Sequence, residues 1–298
     1  MHLTARSFLP AVFVLAVTAA TGCAPQDSPS SPESSDASAG GAPQSAAASC
    51  EPGALATETK GKLTVGTDKP AYAPWFQDDD PANGKGFESA VAYSVATALG
   101  FTKDQVVWQT VPFNNSFSPG EKNFDFDINQ VSISDERRQA VDFSSGYYDV
   151  RQAVVALKKS PYAGATTAAA LKGAKLGAQV GTTSLDTINE IIKPTQQPAV
   201  FQKNDFAKSA LRNGQVDAIV VDLPTAFYIT SAEVPDAEVV GQFADSAGTA
   251  EQFGLVLDKG SALTACVTRA VDGLRKDGTL AALEKRWLSD AVDAPVLK

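Results

Sequence analysis

The apolar positions along this chain change period repeatedly. Over residues 62–68 (KLTVGTD), 106–111 (VVWQTV) and 124–128 (FDFDI), β-branched and aromatic residues crowd into short runs, which predicts strands. Between the first two, FESAVAYSVATALG (87–100) carries apolar residues at helical spacing. It ends on Gly100, a residue suited to the left-handed turn after a helix. Further on, RQAVVALK, AKLGAQV, QVDAIVV and FGLVL read as short strands separated by helical stretches, and residues 263–288 as two helices broken at Asp277-Gly278. Such strand–helix alternation predicts an α/β fold. NFDFDINQ (123–130) and GQVDAIVVD (214–222) echo one another, each a strand entered through a turn and Asp and ending in polar residues.

The N-terminal pattern is different. Arg6 precedes an apolar run from Phe8 to Ala20, too short to span a bilayer at about 20 residues and proportioned like a signal peptide. The small residues Ala20-Thr21-Gly22 then lead to Cys23. Residues 24–49 contain no large apolar residue and no Lys or Arg, a composition unable to offset the entropy of ordering a chain. As a random coil this tether would reach roughly 25–30 Å.

Composition removes several function classes. The chain has 298 residues and a net charge of −9, without a basic stripe, which argues against nucleic acid as a partner. The one histidine, His2, falls in the expected signal peptide, so a mature chain has no imidazole for a catalytic triad or a His-ligated metal. With Cys23 at the end of the leader, Cys50 and Cys266 remain as an even pair in an exported protein, and a disulfide between them is expected, with two buried free thiols as the alternative.

Candidate chemistry sits where strands end. FDFDINQVSISDERR turns from an apolar run to Asn129, Gln130, Ser132 and Ser134, then to two acids and two arginines. Ser134 is placed to cap a helix whose first turn holds Asp135, Glu136 and Arg137. A planar guanidinium there suits a carboxylate through two parallel hydrogen bonds. QVGTTS (179–184) sets a Gly turn and Thr182 and Thr183 between a strand and a helix, where N–H groups are unpaired and either capping or anion contact is served. Asp222 ends a strand before Leu223-Pro224, at the carboxyl edge where open α/β sheets bind ligands, or else caps the following helix. DDDPANG (78–84) lacks calcium-loop spacing and is expected to be a polar hairpin tip. No nucleotide-binding glycine motif follows any strand.

Together LTVGTDKPAYAPW, GKGFESAVAYSVATALGF, FDFDINQVSISDERRQAVDFSSGYY, LKGAKLGAQVGTTS, NGQVDAIVVDLPTAFY and VDGLRKDGTLAALEKRW resemble the family 3 extracellular solute-binding proteins, the polar amino-acid receptors of bacterial ABC transporters. Ala20 stands where the lipobox of bacterial lipoproteins usually has Leu, and with that departure Cys23 is expected to be lipidated. The resemblance implies a type II periplasmic-binding-protein fold, two lobes joined by two crossing strands with ligand in the cleft. The expected division is a signal peptide at 1–22, lipidated Cys23 and tether at 23–50, a first lobe at 51–150 plus 258–291, a second at 151–257, and a tail at 292–298. It further implies Arg137 as carboxylate clamp beside Ser132, Thr182 and Thr183 as carboxylate contacts, and Asp222 as amine partner. By the same resemblance Tyr72 and Trp75 would form an aromatic lid, with a core role as the alternative for Trp75, Phe113 would pack on the opposite side, and Asn129 and Gln130 would reach toward the ligand side chain. The expected protein is a lipid-anchored monomer without cofactor or metal that delivers a polar amino acid to a membrane permease. The alternatives are a dehydratase-like enzyme using Glu88 or Asp68 as acid, and a receptor feeding a sensor.

Overall fold

The computed structural model describes residues 50–51, 53–244, 250–289 and 294–298; Cys23, the expected signal peptide and the tether up to Ser49 lie outside the described residues. The chain opens with β1 (Leu63–Thr67), α1 (Phe87–Ala98), β2 (Val106–Thr110), the single turn α2 (Phe113–Ser116), the short β3 (Phe126–Asp127), α3 (Arg137–Ala140) and the long β4 (Val141–Val150). After Arg151 it continues as β5 (Gln152–Leu157), β6 (Leu176–Gln179), α4 (Thr183–Thr187), β7 (Ala199–Phe201), α5 (Asn204–Arg212), β8 (Ala218–Asp222), α6 (Leu223–Tyr228) and β9 (Ala237–Phe243). It closes with β10 (Glu251–Asp258), α7 (Thr264–Lys276), α8 (Thr279–Trp287) and β11 (Val296–Leu297).

The described strands form two sheets, ordered β2-β1-β3-β10-β4 and β11-β9-β5-β8-β6-β7. In the first, β1 runs parallel to β2 and β3 while β10 runs antiparallel to β3 and β4. In the second, β6 is parallel to β7 and β8, and β5 is antiparallel to β8 and β9. This is a two-lobed α/β fold, and the chain passes between the lobes twice, at Arg151 and between β9 and β10.

Local chemistry explains the elements. In α1, Phe87, Val91 and Val95 fall one above the other and are fully buried, with Ala92 and Ala96 beside them. The helix ends on Gly100 at φ +87°, where Gly100 N–H bonds Thr97 O (3.0 Å) and Phe101 N–H bonds Ala96 O (2.9 Å). At its start a Cβ on Gly86 would lie 2.4 Å from Trp75 O, so only glycine admits this approach. β5 and β8 are buried on both faces, separating an apolar cluster under α5 and α6 from one under α4. Their unbroken apolar runs follow from that two-sided burial.

Two expected boundaries move, and one loop reading changes. β10 pairs with β4 from Glu251 opposite Val150 to Asp258 opposite Val141, so the return crossing precedes residue 251 rather than following 257. The whole length of both strands stays in the first sheet because their ladder continues up to the crossing. The expected tail ends as an edge strand: Val296 and Leu297 pair with Gln242 and Phe243, and Leu297 is buried in the second lobe. DDDPANG is not a hairpin tip. Its acids are engaged by backbone N–H groups, Asp80 capping a short 3₁₀ turn at Pro81–Asn83 (3.0 Å to Ala82 N) and Asp79 accepting from Ala71 N (2.7 Å).

Cys50 and Cys266 form a disulfide across a sequence separation of 216, fastening the start of the described chain to α7. Closing so long a loop restricts the unfolded ensemble, so Cys50→Ser/Cys266→Ser is expected to lose about 2–4 kcal/mol of stability. Urea denaturation with and without reductant checks this, and the double variant should no longer respond to reductant.

Candidate functional site

The carboxyl ends of β1, β3, β6 and β8 converge on one cleft between the sheets, enclosing about 40 Å³. Its first-lobe wall carries Asp68, Tyr72, Phe113, Asn129, Gln130, Ser132 and Arg137. The second-lobe wall carries Gln179, Thr182, Thr183, Ser184, Asn204 and Asp222. Nine of the ten residues expected in a ligand site therefore border it, Trp75 being the exception.

Arg137 reaches across. Its Nη1 donates to Ser132 O (2.6 Å) in its own lobe and its Nη2 to Gly181 O (2.9 Å) in the other. The guanidinium lies 4.4 Å from the Phe117 ring centroid and 5.9 Å from that of Phe113, stacked on apolar faces that fix its plane. Burial pulls its pKa down, and Glu251, Asp186 and Asp222 oppose that. The helix expected to begin at Ser134 starts later. Asp135 and Glu136 form a turn ahead of α3, and Ser134 Oγ accepts the Arg137 N–H at 3.2 Å. That bond holds the backbone of Arg137 where its side chain can span the cleft.

Asp222 caps no helix: its side chain makes no capping bond, and its Oδ1 accepts from Gln152 Nε2 at 2.8 Å. Burial first, and then the charge of Glu251, raise its pKa to about 7. Such a carboxyl gains most from a cation placed beside it. Thr182 Oγ1 caps α4, accepting from Leu185 N (3.2 Å) and donating to Gln179 O (2.8 Å).

Glu251 was not legible as a site residue, yet it organises the hinge side of the cleft. Thr183 Oγ1 donates to its carboxylate at 2.6 Å, Ser132 Oγ donates to the same oxygen, and Gln152 Nε2 lies at 3.3 Å. A hydroxyl has one proton. With those protons on Glu251, the Ser132 and Thr183 hydroxyls offer lone pairs rather than protons to the cleft. Gln152 was missed as well, its Oε1 accepting from Ser184 Oγ at 2.6 Å. The available signal was a polar residue at the mouth of an otherwise apolar strand, in RQAVVAL and again in AEQFGLVL.

Trp75 is no lid. It is fully buried in the first-lobe core, edge-on to Phe87, Tyr148 and Phe253 at 5.5–6.1 Å. Its large apolar surface explains that placement, and its one polar atom finds a partner across the lobes, Nε1 donating to Thr225 Oγ1 at 2.9 Å. Tyr72 does border the cleft, with the Lys208 ammonium 5.0 Å from its ring. Burial and then Asp205 push its hydroxyl above the ordinary phenol range.

Gln130 borders the cleft with its side-chain nitrogen turned to Glu88. At φ +50°, its N–H donates to Glu88 Oε1 (2.8 Å) and its side-chain amide donates to Glu88 Oε2, while Tyr147 OH donates to Oε1. Glu88 is fully buried, and burial lifts its pKa from 4.5 to about 7 against those three hydrogen bonds. The folded state thus holds its proton more tightly than the unfolded chain. Stability from this group is full below pH 4.5 and is lost as pH rises through about 7. Glu88→Gln is expected to flatten its share of that fall, as read by unfolding midpoints from pH 4 to pH 8.

Residues 63–290 match the family described as bacterial extracellular solute-binding proteins, family 3. The chain is 32% identical over 234 residues to the L-cystine-binding protein TcyJ of Escherichia coli K12, covering 76% of this chain and 83% of the relative. Among solved structures, the arginine-, lysine-, histidine-binding protein ArtJ from Geobacillus stearothermophilus aligns with TM-score 0.64 and 26% identity, over 76% of this chain and 95% of its own. The ancestral amino acid-binding protein AncCDT-1, a precursor of cyclohexadienyl dehydratase, aligns with TM-score 0.63 and 28% identity, over 76% of this chain and 95% of its own. With the family profile running through both lobes and both crossings, the chain belongs to the family 3 bacterial extracellular solute-binding proteins.

Proposed function

We propose that this protein is an amino-acid receptor in which Arg137 takes the ligand α-carboxylate and Asp222 the α-ammonium, the two lobes closing on the zwitterion. As a family member it is an extracytoplasmic substrate-binding component of an ABC importer, passing its amino acid to a membrane permease. The observation that carries the residue assignment is the opposition of one half-buried cation, Arg137, to one half-buried acid of raised pKa, Asp222, on facing walls of a single cleft. Two of the five guanidinium N–H groups are spent on backbone carbonyls, which leaves donors for a carboxylate. The hydroxyls of Ser132 and Thr183, presenting lone pairs, add acceptors for the ammonium. Closure brings groups from both lobes onto one ligand, so binding energy and the closed state are linked.

Binding without chemistry is the reading the geometry favours. Glu88, the strongest candidate acid, has its oxygens committed to Gln130 and Tyr147 and does not border the cleft. Asp68 borders it but lies 3.8 Å from Lys203. No described helix is long and apolar enough to cross a membrane, and the proposed attachment is a lipid on Cys23, with the receptor working as a monomer. The small residues before Cys23 and the segment without large apolar residues after it support that attachment. Metabolic labelling with a fatty acid, lost in Cys23→Ser, tests it.

The receptor reading is tested by thermal shift against the twenty amino acids, cystine and ornithine. At a hundredfold excess over Kd a ligand adds about 2.7 kcal/mol, roughly 5–10 °C for a domain of this size. A shift confined to one side-chain class supports the receptor, and no shift with any of them removes it.

A further inference from the structure

Beyond Asp222, the acid in the cleft lining is Asp68. Its charge is already answered within the protein. Asp68 Oδ1 accepts the Lys69 N–H at 2.6 Å and lies 3.8 Å from Lys203 Nζ, which comes from the second lobe. The same ammonium donates to Lys69 O, so Lys203 is tied to the first lobe by two partners on adjacent residues. Farther along α5, Lys208 stands 5.0 Å from the ring of Tyr72, itself paired with Asp205 (2.8 Å) and Glu233 (2.7 Å). Lys203 and Lys208 thus stand behind two lining residues, Asp68 and Tyr72, and Lys208 is answered by two acids of its own.

The neutral lining there is amide and phenol: Asn129, Gln179, Asn204 and Tyr72. Gln179 Oε1 is taken by Asn204 N–H at 2.9 Å. Asn129 Nδ2 is buried without a hydrogen-bond partner, an arrangement costly unless something in the cleft accepts from it. The charges then close simply. Of the two acids that line the cleft, Asp222 is left for the ligand ammonium and Asp68 is already paired with Lys203, so neither remains for a positive side chain; Glu251, outside the lining, is taken up by Ser132, Thr183 and Gln152.

We infer that the ligand's side chain is neutral overall and ends in a hydrogen-bond acceptor, as in glutamine or the distal zwitterion of cystine. Lys203, by neutralising Asp68, is the residue that disfavours arginine and lysine. This rests on the receptor reading above. A cationic side chain would have to share Asp68 with Lys203, whose like charge already stands 3.8 Å from the same carboxylate.

Isothermal titration of the protein with L-glutamine, L-cystine, L-arginine and L-lysine tests the inference, alongside Lys203→Met and Lys203→Gln. A thermal melt checks that each variant is folded. The wild type is expected to bind glutamine or cystine at least tenfold more tightly than either cation. Both Lys203 variants should narrow that ratio at least tenfold by gaining arginine affinity, since Asp68 is then left without its partner. A wild-type preference for arginine or lysine overturns the inference while leaving the receptor intact, as does a ratio unchanged in both variants. Binding of none of these and none of the other amino acids overturns the receptor reading and this one with it.

Discussion

Arg137→Ala is expected to abolish amino-acid binding while the protein stays folded. The guanidinium holds Ser132 O in one lobe and Gly181 O in the other, so its loss removes a bridge across the cleft as well as the carboxylate's partner. The ligand carboxylate would then be enclosed without a counter-charge, a loss of about 2–5 kcal/mol for a buried charge pair cut on one side. Near the upper end that is a thousandfold in Kd or more, at about 1.4 kcal/mol per decade. Arg137→Lys should recover little, because one ammonium cannot serve two carbonyls and a carboxylate in the directions a planar fork does. The apolar clusters of both lobes lie elsewhere, so circular dichroism should match the wild type. Calorimetry showing ordinary affinity in Arg137→Ala would remove the clamp assignment.

The second large effect concerns Asp222 and has a sign in pH. Burial and Glu251 hold its pKa near 7, so in the empty receptor it is mostly protonated at pH 6 and mostly ionised at pH 8. An ammonium binds the ionised form, and binding below pH 7 must therefore release a proton. Affinity is expected to rise with pH up to about tenfold per unit below 7, and to level off above it. Asp222→Asn should weaken binding by about 2–5 kcal/mol and flatten the profile. A deaminated analogue should lose far less between the two proteins. Equal losses for amino acid and analogue would make Asp222 a structural residue only. The stability of the empty receptor runs the other way over the same window, because a carboxyl with raised folded pKa stabilises most when protonated. A ligand-free melt that sharpens toward acid and a binding isotherm that sharpens toward base would be the joint signature.

Within the cleft, groups differ in how much they are coupled. Glu251 touches Ser132, Thr183 and Gln152, and Gln152 touches Asp222, so substitutions along this chain of hydrogen bonds should not be additive. Arg137 and Lys203 are held by separate partners, and their effects should combine more simply.

Much of this molecule was decided by periodicity and turn chemistry. The helix at 87–98 with its Gly100 stop, the pair of helices broken at Asp277-Gly278, and the strands around Leu63, Val106 and Ala218 are local choices, set by side-chain spacing and by backbone freedom at single glycines. Motifs at the ends of β1, β3, β6 and β8 were also readable, since polar residues closing an apolar strand mark the edge where α/β sheets bind. Only the tertiary structure decided what crosses between lobes. Which way a hydroxyl spends its proton depends on a carboxylate far along the chain, as with Thr183 and Glu251. Trp75 and Tyr72 share one loop, yet one fills the core and bonds Thr225 while the other faces the cleft; burial is settled by the packing of a sheet and helices that no local window contains. The pairing of Asp68 with Lys203 likewise joins residues of different lobes, 135 positions apart in the chain, and no local window contains it.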